Sequence, residues 1–274
     1  MIATRAFVVA FAFVITASSA WAQEPRLTNG RIETHSGAAN FAREFNALTA
    51  KLSEPTWVGY SAPIIDGEHT MCDWSDNWRN LPPSQTPVHL EPPTYFFVLF
   101  RIESGQVARI RSYSADCPLD GGGKTVHMFI NVSPADSVAF LKTFMAPSQT
   151  QKITDSAVTA LAMHKGDAAL NTLLDMARDN QSTKVRGTAL FWLAQRAGEK
   201  AVGAIRNAID NDPETEVKKK AVFALSQLPK DEGVPLLIQQ ARTNKNPEVR
   251  KQAMFWLGQS KDPRALKFFE EILK

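Results

Sequence analysis

The amino-acid sequence predicts an α+β domain with an antiparallel sheet, followed by an all-α solenoid of about four two-helix repeats. Two observations lead to this fold class. Segments that alternate apolar and polar residues, as strands do, fill much of the first half of the chain, and a pattern with a period of 32 residues fills the second half. We expect the α+β domain to span residues 23–148 and the repeat array to span residues 149–274.

The first 22 residues have the pattern of a secretory signal peptide. Arg5 precedes an uncharged apolar run, and small residues then lead to Ala20-Trp21-Ala22, which is an A-x-A cleavage site. The apolar run is about half as long as a membrane-spanning helix, so a retained membrane anchor is the less favoured alternative. We therefore expect a mature chain that starts near Gln23, has no transmembrane segment, and is periplasmic or secreted.

The elements of the α+β domain follow from local periodicity. Residues 37–52 carry apolar side chains at helical spacing and predict an amphipathic helix. Residues 57–65 alternate as a strand, which Pro63 favours at a sheet edge because proline has no backbone N–H. Tyr95–Glu103 and Val107–Tyr113 also alternate, and the short Ser-Gly-Gln turn between them predicts a β-hairpin.

The hairpin has a predicted register. A three-residue turn places Ile110 opposite Phe100 on the buried face and therefore Arg109 opposite Arg101 on the other face. Like charges that face each other destabilise a sheet unless an acid lies between them, and Glu103 is the structural answer that we favour over a bound anion.

The domain ends with a further strand and a helix. We interpret the glycine run Gly121–Gly123 as a turn, because it lacks the Lys-Ser/Thr ending of a phosphate-binding loop. Residues 124–131 alternate as a strand, with His127 on the face opposite its apolar residues. Ser133 is then the predicted cap of a helix that begins with Pro134.

Both cysteines, Cys72 and Cys117, lie in the first half of the chain, which favours a disulfide in an oxidising compartment. The alternative is a metal site formed by the two cysteines with His69 and His127, but no second tightly spaced ligand pair supports it. We therefore expect no metal and no cofactor.

The segment around Cys72 also carries Trp74 and Trp78, in a long polar and proline-bearing stretch. Two interpretations of the tryptophans remain open. They either cover the domain's own core beside the disulfide or contact a partner.

The charges of the two halves differ. Residues 23–150 contain 10 basic and 13 acidic residues, whereas residues 151–274 contain 20 basic and 15 acidic residues. The array is therefore mildly basic, far below the charge of a nucleic-acid-binding domain. We expect a protein partner and no nucleic acid.

Four segments define the repeats, because they begin 32 residues apart at Ile153, Val185, Val217 and Val249. The fifth residue of every segment is alanine, which allows helices to approach closely. Gly166, Gly198 and Pro229 then interrupt the chain before each of the first three second helices.

The segments DPETEVKKKAVFALSQL and NPEVRKQAMFWLGQS resemble HEAT repeats of the short bacterial type that is also found in phycobilin lyase-like proteins. In that family a loop Asp and the Arg or Lys after the valine form a hydrogen-bonded ladder between units. The resemblance implies this structural role for Arg186, Asp212, Lys218 and Arg250. Asn180 and Asn244 replace the Asp, and Thr154 replaces the basic residue in the first unit.

The whole chain is also similar to exported bacterial HEAT repeat domain-containing proteins. The similar motifs are the WVGYSAP strand, the Cys72 to Trp74 loop and the DCPLDGGG turn of residues 116–123. This resemblance implies a fold and an exported location, and little about activity.

Two surfaces of the array are candidates for binding. The aromatic stripe of Phe191, Phe223, Phe255, Trp192 and Trp256 is more often core between repeats than a ligand platform. In the usual solenoid geometry the second helices line the concave face, and we expect their outward residues to bind the partner. These are Asp175, Arg178, Arg206, Asp210, Gln239, Gln240, Arg242, Lys267 and Glu270.

A search for catalytic motifs finds no metalloprotease, hydrolase or nucleotide-binding pattern, and the five histidines are not clustered in the sequence. We therefore expect no catalytic residues. The favoured function is an exported, non-enzymatic scaffold for protein–protein interaction. The alternative is a lyase-like enzyme, or a protein that binds a small molecule or a metal, built on HEAT repeats.

Overall fold

The computed structural model describes residues 23–67, 71–72, 91–196 and 198–274. In these ranges the strands are β1 (Leu27–Ser36), β2 (Thr56–Pro63), β3 (Tyr95–Glu103), β4 (Gln106–Ser114) and β5 (Leu119–Ile130). The helices of the sheet domain are α1 (Phe41–Thr49) and α2 (Pro134–Thr143). The helices of the array are α3 (Gln151–Met163), α4 (Asp167–Asp179), α5 (Thr183–Arg196), α6 (Glu199–Asn211), α7 (Thr215–Gln227), α8 (Lys230–Thr243), α9 (Pro247–Ser260) and α10 (Pro263–Ile272).

The sheet is mixed, so the expectation of a purely antiparallel sheet was wrong. Its strand order is β1-β5-β2-β3-β4, and β5 runs parallel to both of its neighbours. The pairs β2–β3 and β3–β4 are antiparallel, as predicted. Parallel pairing arises because the chain crosses from β4 at one edge, past β3 and β2, before it forms β5.

Strand β1 was not predicted from the sequence. It is an edge strand that pairs with β5 alone, and most of its residues are exposed. Its partly buried side chains include Leu27 and Ile32, which pack on the second, smaller apolar cluster of the sheet. These two are five positions apart, so the strand lacks the alternating apolar pattern that marks a half-buried strand.

Two further expectations about the sheet need correction. Pro63 does not place β2 at an edge, because β5 and β3 flank this strand. Pairing with β5 stops at Tyr60, so Pro63 lies beyond the part of that ladder where a backbone donor is needed. Gly121–Gly123 is not a separate turn but an irregularity inside β5, where the partner residue changes from Thr28 to Gly30 and two glycines adopt positive φ.

The predicted hairpin register is confirmed. Phe100 pairs with Ile110, and Arg101 pairs with Arg109. The turn itself is shorter than expected, since Glu103 already pairs with Gln106, and a bulge after Arg101 restores the register. Nε of Arg101 lies 3.3 Å from a carboxylate oxygen of Glu103, which places a negative charge beside Arg101 as expected.

Helices α1 and α2 cover one face of the sheet with an aromatic core. Phe41 contacts the rings of Tyr60 and Phe140 edge-on at centroid distances of 5.0 and 4.9 Å. Edge-to-face contacts of this kind stabilise a core beyond its buried area. The hydroxyl of Ser133 accepts a hydrogen bond from the N–H of Asp136, which confirms the predicted cap of α2.

The array consists of the helical pairs α3–α4, α5–α6, α7–α8 and α9–α10, as the 32-residue period predicts. The alanine column is wholly buried at Ala157, Ala189, Ala221 and Ala253. A methyl group occupies little space, so the first helices α3, α5, α7 and α9 pack directly on one another.

The second helices contact one another less than the first helices do. The first helices are therefore the more closely packed layer of the array. The expectation that the second helices line the concave face stays a prediction.

The array is joined to the sheet by backbone pairing. The N–H of Ile65 donates to the carbonyl of Met163, and the N–H of Lys165 donates to the carbonyl of Pro63, both at 2.9 Å. His164 thus forms an antiparallel bridge with Ile64. One hydrophobic core runs from the sheet into the array without interruption.

His164 is fully buried at this junction and forms hydrogen bonds at both ring nitrogens. Its Nδ1 lies 2.7 Å from the carbonyl of Ala160, which can only accept, and its Nε2 lies 2.6 Å from Oγ of Ser137. Oγ of Ser137 is also 2.6 Å from the hydroxyl of Tyr60. A neutral imidazole that donates from Nδ1 satisfies this network, and burial lowers the pKa of His164 to about 4.

The implied ladder contains one buried ion pair between units. Arg186 donates to both carboxylate oxygens of Asp212, at 2.8 and 3.0 Å, and both side chains are less than a tenth exposed. Lys218 instead donates to the carbonyls of Ile209 and Asp210 in the last turn of α6, and Arg250 donates to the carbonyl of Asn244 in the loop before α9. These two residues therefore hydrogen-bond to the backbone that precedes their own helices.

The predicted disulfide is confirmed, because Cys72 and Cys117 are bonded and their Cα atoms are 5.1 Å apart. The bond excludes the alternative metal site that needed both cysteines as ligands. The segment that contains His69, Trp74 and Trp78 lies outside the described residues, as does the predicted signal peptide. Within the described ranges, no helix is long and apolar enough to cross a membrane.

We predict that Asp212→Ala lowers the free energy of unfolding by about 3 kcal/mol, because it leaves the guanidinium of Arg186 buried without its carboxylate. The matched control is Asp231→Ala, which removes an exposed carboxylate 3.4 Å from Arg264 and should change stability by less than about 0.5 kcal/mol. Urea denaturation measures both. Equal effects of the two substitutions would contradict the structural role of the buried pair.

A second prediction concerns pH. Unfolded His164 binds a proton below its ordinary pKa of 6.5, whereas the folded protein binds it only near pH 4. Stability that is present above pH 6.5 is therefore lost as the pH falls toward 4, by about 3 kcal/mol for a shift of this size.

The test compares the wild type with His164→Gln in urea denaturation at pH 7.5, 5.5 and 4.5. The variant should be less stable at pH 7.5 but should lose less stability on acidification, since glutamine does not titrate. Parallel pH dependences of the two proteins would show that His164 is not the titrating group.

Candidate functional site

An aromatic ridge runs across the first helices of the array and is the leading candidate site. We define it as Phe191, Trp192, Phe223, Phe255 and Trp256. The 32-residue period places the three phenylalanines at the same position of α5, α7 and α9. The ridge is therefore a direct product of the repeat.

The rings of the ridge contact one another from helix to helix. Phe191 and Phe223 stack with centroids 5.9 Å apart and nearly parallel planes. Phe223 lies 4.8 Å from Trp256, which in turn contacts Phe255 at 4.9 Å. Phe191 contacts Trp192 at 5.2 Å. The contacts form a continuous line of five rings over three helices.

The ridge is partly exposed, so the interpretation of this stripe as core between repeats was only partly right. Trp192 and Trp256 pack against the core from its margin. Phe191 and Phe223 are half-buried, and Phe255 is 53% exposed. A row of aromatic rings open to solvent on neighbouring helices is unusual for a surface with no partner.

A row of glutamines borders the ridge. Gln195, Gln227 and Gln259 lie four residues after the three phenylalanines, on the same face of each helix, and all three are exposed. An amide side chain both donates and accepts hydrogen bonds, as a peptide group does. The first-helix face therefore presents one row of aromatic side chains beside one row of amide side chains.

A small pocket lies beside the ridge where α7, α8 and α9 meet. Its volume is about 190 Å³, and its lining includes Trp256, Gln259, Leu237 and Leu228. The indole N–H of Trp256 is buried and has no hydrogen-bond partner within the described structure. A buried donor without a partner costs about 1–3 kcal/mol.

The predicted partner-binding residues of the second helices are exposed to solvent as expected, with one exception. Gln240 is buried, and its side-chain carbonyl accepts a hydrogen bond from the amide of Asn244, so it does not face solvent. The other predicted partner-binding residues are exposed. They are Asp175, Arg178, Arg206, Asp210, Gln239, Arg242, Lys267 and Glu270.

Some of these side chains already have partners within the chain. Arg178 forms ion pairs with Asp175 and Asp179 on its own helix. Arg242 pairs with Glu271 and lies over the ring of Phe268. A polar cleft of about 390 Å³ between α6 and α8 is lined by residues that include Arg206, Asp210 and Gln239. The second-helix face is therefore a charged surface with much of its charge internally balanced.

A polar cluster of two histidines and a glutamate lies where β1 runs beside β5. Glu33 and His127 are direct partners across the two strands, and His35 follows two residues after Glu33 on the same face. Nε2 of His35 lies 3.0 Å from Nδ1 of His127. Two oxygens of Glu33 lie 3.6 Å from the first nitrogen and 3.8 Å from the second.

The environments of the three side chains differ. His127 is buried, His35 is partly buried beside the ring of Phe129, and Glu33 is exposed. Burial lowers the pKa of His127, Glu33 opposes this shift, and His35 reinforces it. Sequence analysis missed the cluster because β1 was not predicted; the Glu-x-His pattern in a strand was the available signal.

Comparison with known proteins identifies the repeats. A family model described as HEAT repeats matches residues 170–243 and 204–274. Residues 170–274 are therefore similar to HEAT repeats, and the match begins in α4, so α3 lies outside it. A search of curated proteins found no match.

Several solved structures resemble part of the chain. They include the complex of CpcE and CpcF of phycocyanin lyase from Nostoc sp., with 19% identity and a TM-score of 0.39 over 50% of this chain and 89% of that chain. Human deoxyhypusine hydroxylase in complex with glycerol is 20% identical, with a TM-score of 0.37 over 45% of this chain and 43% of that chain. YibA of Escherichia coli is 26% identical, with a TM-score of 0.36 over 51% of this chain and 54% of that chain.

Proposed function

We propose that the protein is an exported, non-enzymatic scaffold whose first-helix face binds another protein. The observation that carries this proposal is the aromatic ridge. Five aromatic rings contact one another across three helices, and Phe255 at one end is more than half exposed.

The physical argument for binding starts from the cost of the exposed ridge. Each phenylalanine side chain gains about 2 kcal/mol when its apolar surface is fully removed from water. The fold could remove these rings from water by turning them inward, but the alanine column already fills the contact between the helices. A partner is then the remaining way to bury them, and aromatic residues are among those that dominate binding energies at protein interfaces.

The chemistry of the face favours an extended segment of polypeptide with apolar side chains. Apolar side chains of such a segment would lie on the phenylalanines, and its peptide groups would exchange hydrogen bonds with Gln195 and Gln259. An acidic residue in the segment would meet Lys251, which lies one turn before Phe255 on the same face and is exposed.

The second-helix face is the weaker of the two candidate surfaces. The predicted partner-binding residues Arg206, Asp210, Gln239 and Lys267 offer no exposed aromatic anchor, and Arg178 and Arg242 are engaged within the chain. Exposed charges of this kind change association rates more than affinity. We propose them as secondary contacts, together with Trp74 and Trp78 of the segment outside the described residues.

Export is part of the proposal. Its support is the disulfide between Cys72 and Cys117, since structural disulfides persist in oxidising compartments, together with the signal-peptide pattern of residues 1–22. N-terminal sequencing of protein recovered from the periplasm or medium would find Gln23 as the first residue.

The alternative of a lyase-like enzyme or small-molecule-binding protein has less support. The pocket beside Trp256 is smaller than the 300–1,000 Å³ that is typical of ligand pockets, and the 390 Å³ cleft between α6 and α8 is lined mainly by polar side chains, whereas such pockets are mostly apolar. Native mass spectrometry of the purified protein separates the hypotheses, because a bound organic molecule would favour this alternative over the scaffold.

We predict that truncation of the ridge abolishes partner binding. The partner is first isolated by affinity capture on the wild-type protein, and its dissociation constant is then measured by calorimetry. Phe255→Ala should weaken binding about tenfold, and the triple substitution of Phe191, Phe223 and Phe255 by alanine should weaken it at least about 100-fold, as expected for loss of central aromatic anchors.

The matched control is the triple substitution of Arg206, Gln239 and Lys267 by alanine on the second-helix face. It should change affinity by less than about threefold, because exposed charges at a rim contribute little. Circular dichroism verifies that each variant is folded. The proposal is wrong if the ridge triple binds as tightly as the wild type, or if only the control triple loses binding.

A further inference from the structure

Beyond the array, we propose that Glu33, His35 and His127 form a binding site for a divalent transition-metal ion, with Zn²⁺ as the preferred ion. The three side chains belong to two neighbouring parallel strands and converge on one face of the sheet. The site is independent of the proposed docking surface, since it lies in the sheet domain and shares no residue with the ridge.

The first argument is the donor set. Two imidazole nitrogens and one carboxylate are a recurrent set of protein ligands for catalytic Zn²⁺, which keeps its remaining position open for water or substrate. The same set also binds other first-row transition metals, whereas Ca²⁺ prefers six to eight oxygen ligands. The donors here therefore favour a borderline metal ion over a hard one.

The second argument is distance. Two nitrogens that each bind Zn²⁺ at about 2.0–2.1 Å with a tetrahedral angle are separated by about 3.3 Å. The observed separation between Nε2 of His35 and Nδ1 of His127 is 3.0 Å, and the carboxylate oxygens of Glu33 lie 3.6 and 3.8 Å from these nitrogens. The 3.6 and 3.8 Å distances involve the two different oxygens of Glu33, but one carboxylate oxygen and the two nitrogens all lie within 4.8 Å of one another. A rotation of the exposed Glu33 side chain would bring a single oxygen to ligand distance from an ion held between the nitrogens.

The third argument is support from the surroundings. The backbone pairing of Glu33 with His127 holds these two ligands side by side, and pairing of β5 with Val58 of β2 holds His127 from the other side. The ring of Phe129 lies 5.4 Å from the ring of His35 and forms an apolar wall. Glu33 is the exposed member of the set, so the open coordination positions face solvent.

A bound ion would also change how β1 is held. A metal ion would replace the single hydrogen bond that now joins the two histidines. It would also add a tie between β1, which is an edge strand, and the rest of the sheet.

The test uses the untagged full-length mature protein, stripped with a chelator and titrated at pH 7.5. Zn²⁺ binding is measured by competition with a chromophoric chelator, and Co²⁺ serves as a spectroscopic probe of the ligands. We expect one Zn²⁺ per chain, visible absorption bands with Co²⁺, and no comparable binding of Ca²⁺.

Glu33→Gln, His35→Gln and His127→Gln should each weaken Zn²⁺ binding by about 100-fold. Removal of a residue that only supports a metal ligand weakens binding by up to about 100-fold, so loss of a ligand itself should cost at least as much. Glu33→Gln changes an exposed side chain and should fold normally, which keeps the test valid if a histidine variant is unstable. The matched control is Glu216→Gln in α7, which removes an exposed carboxylate from the array and should leave binding unchanged. The proposal is overturned if Glu33→Gln and His35→Gln bind Zn²⁺ as tightly as the wild type does.

Discussion

The close approach of the first helices is the constraint on which the array depends. Ala157, Ala189, Ala221 and Ala253 are wholly buried where these helices meet, and a larger side chain in this column would force the helices apart. The same spacing brings Phe191 within stacking distance of Phe223, and Phe223 within contact of Trp256. The alanine column therefore sets both the packing of the solenoid and the continuity of its aromatic surface. The column leaves no room for the phenylalanines between the helices, so their rings point outward.

The sheet domain determines where the array begins. The end of β2 pairs with the residues after α3, and the hydrogen bonds of His164 link this junction to Ser137 of α2 and Tyr60 of β2. Arg196, at the end of α5, donates to the carbonyl of His164 and extends the junction into the second helical pair. Both ring nitrogens of His164 are satisfied in this buried network, which favours one arrangement of the two parts. The domain boundary expected at residues 148 and 149 stays a prediction, since one hydrophobic core crosses it.

Sequence analysis predicted the features that repeat or alternate. The 32-residue period specified the helical pairs, and the register of the β3–β4 hairpin followed from its apolar face. It failed where tertiary context decides the outcome. Strand β1 has little alternation because one edge and much of its surface are open to solvent, and its absence from the prediction hid both the parallel pairing and the cluster of Glu33, His35 and His127. Gln240 is buried and Phe255 is exposed, although their positions in the repeat predict the reverse. The period gives the face of the helix on which a residue lies, but not how far a neighbouring helix covers that face.

The central claim is that a protein partner lies on the first-helix face. Site-specific photo-crosslinking tests this claim most directly, with a photoreactive residue placed at Gln195, Gln227 or Gln259 beside the ridge, or at Arg206 or Lys267 on the second-helix face. The account predicts crosslinks to one partner polypeptide from the glutamine positions and little or none from the other two. Crosslinks only from Arg206 and Lys267 would contradict it.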